Sequence, residues 1–296
     1  MPPTPATERL RRRKISSHLA LAAPLLFAML ICSACLYTTY QKGPEPESPI
    51  PGWNAQNYQF EKLTAALADR DRALFSMQSP AIMEYTTPGQ HLKAREDIVV
   101  RRPDSLRVEA RSPLGVALLV AAQGDQLAIF EPGKNRFSRG HATAETLYKY
   151  VRIPMAPADA VALLMGLAPR DFPPDSVPDS VSNEGAMTVA TYGNSASGTR
   201  QLGFADGKLA MVRETAPDGR VSYEVRYSDY HDIGGVMFAY VVDAEFPTAQ
   251  SHVSFRFLRP IVNGNVPAST FVLTPAPGAT LMNLSLENGA YFPNES

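Results

Sequence analysis

The stretch VSYEVRYSD (221–229) decides how the rest of the chain is read. Val221, Tyr223, Val225 and Tyr227 fall on one side of an extended chain, and Ser222, Glu224, Arg226 and Ser228 on the other. Side chains alternate across a strand with a period of two. One face is therefore buried and one is wet, which is the habit of antiparallel sheets. The stretch SHVSFRF (251–257) repeats the pattern, with Val253, Phe255 and Phe257 alternating with Ser254 and Arg256. Between QLGFA and KLAMV, Asp206-Gly207 has the form of a two-residue hairpin turn, and Asp218-Gly219 is read the same way.

Working toward the N-terminus, residues 80–132 break into short β-type segments: PAIMEYTT, HLKAREDIVV, SLRVEARS, VALLVAA and QLAIFE. Proline- and glycine-containing turn signals separate them. Two helical pieces, TAETLYKYV and PADAVALLMG, occupy 143–166 and are split at Ile153-Pro154. Pro157 suits a first helical turn and Gly166 a C-terminal cap. Ahead of the strands, Phe60, Leu63, Leu67, Leu74 and Met77 share one helical stripe, interrupted by Arg70 and closed by Pro80. Residues 168–185 read as a loop in which PDSV occurs twice. The expected fold is α+β and mostly β. A helix, about five strands, helices and about six more strands form one antiparallel sheet with the helices on one face. About eleven strands will curl.

The N-terminal segment has a different character. Arg9, Arg11, Arg12, Arg13 and Lys14 precede ISSHLALAAPLLFAMLI (15–31), which has no charged residue. A basic region followed by an apolar one is the form of an export signal. Both cysteines follow, Cys32 and Cys35. Their CxxC spacing suits a redox pair or half a zinc site, but a second ligand pair and polar surroundings are lacking. Ser33-Ala34-Cys35 instead resembles the lipobox of bacterial lipoproteins, with Cys32 standing where leucine is usual. That resemblance implies cleavage after residue 34 and acylation of Cys35. An uncleaved membrane anchor is the other reading of the apolar run, which is short for a spanning helix. Residues 35–54, rich in proline and glycine toward their end, form a tether of roughly 20–25 Å. The domain proper is 55–282, and 283–296 is a C-terminal tail.

Composition limits the partners. The chain carries 28 basic and 29 acidic residues. Loss of residues 1–34 removes the five basic residues of the cluster and Glu8, leaving 23 basic against 28 acidic. Nothing in this balance suits nucleic acid, which needs concentrated positive charge. No G-x-S-x-G, H-E-x-x-H or Walker loop occurs, and His91, His141, His231 and His252 lack metal-ligand spacing. Tyr230-His231-Asp232 reads as a turn at a strand end. Neither an enzyme, a cofactor nor a bound metal is expected.

A curled sheet with an apolar concave face either packs its helices as an ordinary core or keeps an apolar cavity beneath them. Eight of the ten methionines lie beyond the signal and would suit a pliable lining. Three stretches bear on the choice: SLRVEARSPLGVALL (105–119), LAIFEPGKNRFSRG (127–140) and YVRIPMAPADAVALLMG (150–166). With VSYEVRYSDY and FVLTPAPGA, they resemble the LolA/LolB family of periplasmic lipoprotein carriers and outer-membrane receptors. The resemblance implies an incomplete antiparallel β-barrel under a helical lid that holds the acyl chains of a lipoprotein or other lipid. It also implies exchange with a periplasmic lipoprotein carrier, no covalent step and a monomer. Leu114, flanked by Pro113 and Gly115, matches the membrane-insertion loop of the receptor. Arg102 resembles the arginine that bonds the lid in the carrier. Arg107 matches a strand arginine, with a solvated strand face as its plainer reading. Leu36 after Cys35 lacks the aspartate that retains lipoproteins in the inner membrane of enterobacteria, so the outer membrane is expected. Trp53 is the chain's only tryptophan and falls in the tether, a departure from the tryptophan-bearing cavities of the family.

Overall fold

The computed structural model describes residues 55–169 and 177–284. Cys35, the apolar N-terminal run, the tether with Trp53, part of the first PDSV copy and most of the tail lie outside the described residues.

Helix α1 (Ala55–Ala73) leads into β1 (Ser76–Thr87). The helical stripe thus ends earlier than its spacing suggests. Leu67 and Leu74 are buried as expected, but Met77 lies in β1. Over its whole length β1 pairs with β2 (Gln90–Arg101), and that ladder overrides the helical spacing. Pro80 consequently sits inside a strand, not at a helix end. Its missing N–H costs little there, because on its other side β1 changes partner. Ala81 onward pairs with β13 (Ser251–Phe257), whereas Met77 and Gln78 pair with β14 (Ile261–Val262). In the gap the Pro80 carbonyl accepts from Leu258 N–H, and Ser79 Oγ accepts from Arg259 N–H.

After β2 come β3 (Ser105–Ser112), β4 (Gly115–Gln123), β5 (Gln126–Glu131) and β6 (Arg136–His141). Helices α2 (Ala144–Val151) and α3 (Pro157–Met165) follow, in the two pieces expected. A reciprocal Thr143–Thr146 cap starts α2. In α3, Pro157 occupies the first turn, and Gly166 closes the helix at φ +65°, its N–H bonded to Ala162 and Leu163 carbonyls. The chain returns through β7 (Ser180–Glu184), β8 (Met187–Asn194), β9 (Gly198–Ala205), β10 (Lys208–Thr215), β11 (Val221–Ile233) and β12 (Val236–Phe246), and ends with β13, β14 and β15 (Thr280–Asn283).

The strands form one sheet, ordered β15-β6-β5-β4-β3-β2-β1-β13-β12-β11-β10-β9-β8-β7, with β14 beside β1. All described pairings are antiparallel except β15 with β6. Edges β7 and β15 do not pair with each other, so the sheet is an unclosed barrel. It has fifteen strands instead of about eleven, through β6, β7, β14 and β15. β7 lies in the segment read as a loop, and the second PDSV copy runs into it. Asp206 and Gly207 both have positive φ and make the β9–β10 hairpin turn. Asp218-Gly219 instead lies in a five-residue loop, 216–220, closed by Gly219 N–H to Ala216 O and Ala216 N–H to Arg220 O.

The alternation in β11 holds: Val225 and Tyr227 are buried while Arg226 and Ser228 are exposed. Tyr230, His231 and Asp232 lie within this strand and not in a turn; Asp229, at φ +56°, interrupts its regularity. The main core fills the concave face under the helices, including Leu106, Val120, Leu147, Leu163, Val242 and Phe255. A smaller cluster of Ala121, Phe137 and Leu273 forms where the C-terminal segment covers the opposite face. Arg107 helps hold that segment by donating to Thr270 O at 3.0 Å, so it is a clamp and not simply a solvated strand residue.

Candidate functional site

An antiparallel meander puts successive turns at alternate ends. The turns at 88–89, 113–114, 216–220 and 247–250 share one end of the sheet with Leu114. The turns at 102–104, 206–207 and 234–235 share the other, where α1 joins β1. Helix α3 runs between the two. Near its start, Ala156 and Asp159 line a pocket with Phe246 and Thr248 at the Leu114 end, and at its close Gly166 meets Arg70 of α1.

Leu114 is 100% exposed. Its loop is held by short local bonds: Leu114 N–H donates to Ser112 Oγ at 3.2 Å, and the Ser112 hydroxyl donates to Gly115 O at 3.1 Å. Gly115 adopts φ +117°, which favours glycine, and Pro113 stiffens the approach. The loop therefore presents a leucine on a constrained tip.

Arg102 is at the opposite end. It donates to the Asp71 and Leu74 carbonyls at the close of α1, and its Nη2 lies 2.9 Å from the Asp71 carboxylate. The exposed C-terminal carbonyls of a helix favour a cation. Arg102 and Leu114 are thus not one site: one arginine touches the helix that covers the sheet, and the leucine stands at the far rim.

Arg70, which broke the apolar stripe of α1, reaches inward. Nη1 donates to Met237 O on β12, and Nη2 donates to Met165 O at the end of α3, 3.2 Å away. Its guanidinium lies 5.4 Å from the Tyr230 ring centre. Burial lowers the Arg70 pKa, and the tyrosines Tyr230 and Tyr227 partly oppose that shift. Tyr230 in turn donates to Leu209 O at 2.6 Å. The break in the stripe is a tie between lid, inner helix and sheet.

Several pockets border the helices. One of about 680 Å³ at the Leu114 end has Met155, Phe246 and Pro154 in its wall, and a polar side made by Arg200, Glu214 and Tyr223. Arg200 Nη2 lies 2.7 Å from Glu214 Oε2, and the Tyr223 hydroxyl donates to the same oxygen at 3.2 Å. Burial, then the Glu214 charge, pushes the Tyr223 phenol up. Pockets of about 150 Å³ beside Arg102 and about 290 Å³ beside Gly207 lie at the other end. Small-molecule sites generally measure about 300–1,000 Å³. The space directly under the sheet is taken by α3, whose Ala160–Met165 are buried.

The concave wall of β2–β4 differs from the rest. Leu92, Ala94, Ala110 and Leu118 are only half-buried, whereas Ile98, Val108 and Val120, deeper along the same strands, are buried. Glu96 lies among them, on the phase of Leu92, Ala94, Ile98 and Val100, and is 6% exposed. Burial pushes its carboxyl up to about 8. The sequence reading missed it because HLKAREDIVV is rich in charge. The available signal was its phase: Glu96 stands on the apolar side of the alternation while Arg95 and Asp97 stand on the wet one. Among the described residues there is no group of three or more His, Cys, Asp or Glu arranged to hold a metal ion, and no helix long and apolar enough to cross a membrane.

Solved structures carry the comparison further than sequence. A DUF1329 family protein from Desulfovibrio piger is similar over 74% of this chain and 98% of its own, with a TM-score of 0.52 and 11% identity. The two share a fold. A LolA superfamily protein from Nitrosomonas europaea is similar over 71% of this chain and 97% of its own, at 13% identity and a looser TM-score of 0.48. The fold assignment rests on the first of these. No family model matches the sequence, and no curated protein does.

Proposed function

We propose that this protein is a lipid-anchored periplasmic carrier or receptor that binds the acyl chains of lipoproteins, or of other lipids, and delivers them to the outer membrane. The observation that supports this best is Leu114, fully exposed on a stiff loop at the same end of the sheet as the pocket of about 680 Å³. A leucine gains about 1.5–3 kcal/mol on leaving water, enough to favour contact with a bilayer without trapping the protein there. The family resemblance of the sequence adds the expected cargo. Acylated Cys35 would anchor the chain on the periplasmic face, with the tether giving it reach. A periplasmic lipoprotein carrier is the expected donor. No covalent step belongs to this reading.

The test is transfer. Purified protein is mixed with a carrier–lipoprotein complex, and cargo is followed by pull-down. Movement of cargo to this protein supports the proposal; no transfer, together with no lipid retained on purification, counts against it. A second reading has its own support. The burial of α3 beneath the sheet suits a filled core, and with it a lipid-anchored envelope protein that binds a protein partner and carries no lipid.

A further inference from the structure

Glu96 has no hydrogen-bond partner among the described residues, although it is 6% exposed. Native interiors leave few polar groups without a partner. No charged neighbour explains it: burial is the only cause acting on its carboxyl. Its cross-strand neighbours are Ala81 on β1 and Ala110 on β3, and Ala110 is in turn paired with Leu118 on β4. Both neighbours are small and apolar and offer the carboxyl no hydrogen-bond partner. Leu118 and Ala110 are half-buried, so the concave wall stays partly open between Glu96 and the Leu114 rim. From Leu118 to Leu114 is about 13 Å along the strand.

We infer that Glu96 is the polar contact of an acyl-binding surface on the β2–β4 wall, where its carboxyl donates a hydrogen bond to the ester or amide carbonyl of a bound acyl group. The inference rests on the lipid-binding reading and names the part of the ligand that is recognised. A neutral carboxylic acid in an apolar wall has one proton to donate, and a hydrocarbon chain offers it nothing. The first acceptor an acylated ligand brings is the carbonyl that joins the chain to its head. The chain lies against Ala94, Ala110 and Leu118 and the head faces the rim.

Two fluorescent probes test this on the full chain: a polyene fatty-acid methyl ester and a polyene hydrocarbon of equal length. Glu96→Leu is expected to weaken the ester about 5–10-fold, the value of one hydrogen bond, and to leave the hydrocarbon unchanged. Glu96→Gln, which keeps a donor, is expected to retain ester binding. Equal effects on both probes, or none on either, overturn the role of Glu96 while lipid binding stands. If the wild-type protein binds neither probe, the proposed function itself falls and this inference with it. A measurement that needs no variant is the infrared band of a ¹³C-labelled ester carbonyl, expected to move to lower frequency on binding; an unshifted band overturns the inference. Competition separates the sources of the carbonyl. Stronger displacement of the ester probe by a triacylated lipopeptide than by a diacyl phospholipid assigns lipoprotein cargo; the reverse, or equal potency, assigns membrane lipid; displacement by neither overturns the inference.

Discussion

Arg70 of α1 donates to the carbonyl of Met165, the last residue of α3, at 3.2 Å, and the same guanidinium donates to Met237 of β12. One side chain therefore joins the lid helix to the inner helix and to the sheet. Hydrogen bonds from a charged group contribute about 1.5–3 kcal/mol. Arg70→Ala is expected to lower stability by about 2–3 kcal/mol and to raise hydrogen exchange in α1 above that in the sheet. Unchanged exchange in α1 would show that the lid is held by its leucines alone.

Gly166 leaves the space that Arg70 uses. A Cβ on Gly166 would lie 3.0 Å from Arg70 Nη2, and its φ of +65° disfavours any side chain. Gly166→Ala is expected to cost at least about 1 kcal/mol. Combined with Arg70→Ala, the cost should be less than the sum, because the two share one contact. A urea denaturation series of the four proteins measures the coupling; strict additivity would separate the two residues.

At the other lid contact, Arg102 and Asp71 form a part-exposed ion pair, with side chains 31% and 46% accessible. Such pairs contribute about 0–1 kcal/mol. Asp71→Asn is expected to fall within that range, whereas Arg102→Ala should cost more because the Asp71 and Leu74 carbonyls also lose their donor. Equal losses in thermal unfolding would place all of the effect in the ion pair.

Leu114 has no packing to lose. Leu114→Glu is expected to change stability by less than about 0.5 kcal/mol, to leave cargo binding intact, and to slow delivery to liposomes. Delivery at the wild-type rate removes Leu114 from the mechanism.

Glu96 gives the pH dependence. Its carboxyl titrates near 8 in the folded protein against an ordinary 4.5. Between these values the folded protein holds a proton that the unfolded chain has released. Stability therefore falls as pH rises from about 4.5 to about 8, by on the order of 5 kcal/mol from this group, and then levels. Glu96→Gln should remove that part of the slope. Urea midpoints at pH 5 and pH 8 measure it; identical slopes for wild type and variant would show that the carboxyl is hydrated and titrates normally.

Much of this fold was legible because its cues are local. The period of two in 221–229 marks β11, Asp206-Gly207 turns a hairpin by its own backbone preference, and Pro157 and Gly166 bound α3 by their own φ. The Ser112–Gly115 loop exposes Leu114 through bonds among neighbours. None of these needs a distant partner.

What the tertiary structure decided depends on partners far away in sequence. Met77 belongs to a strand because β2, β13 and β14 supply a ladder that outweighs its helical spacing. Pro80 is tolerated inside that strand because the sheet changes partner beside it. Arg70 breaks the apolar stripe for the sake of carbonyls 95 and 167 residues away. Glu96 looks like one charge among several in sequence. Cross-strand register and overlying helices remove it from water, and burial then holds its proton. Sequence determines which residues can line a face; only the closed-over fold determines which of those faces loses its water.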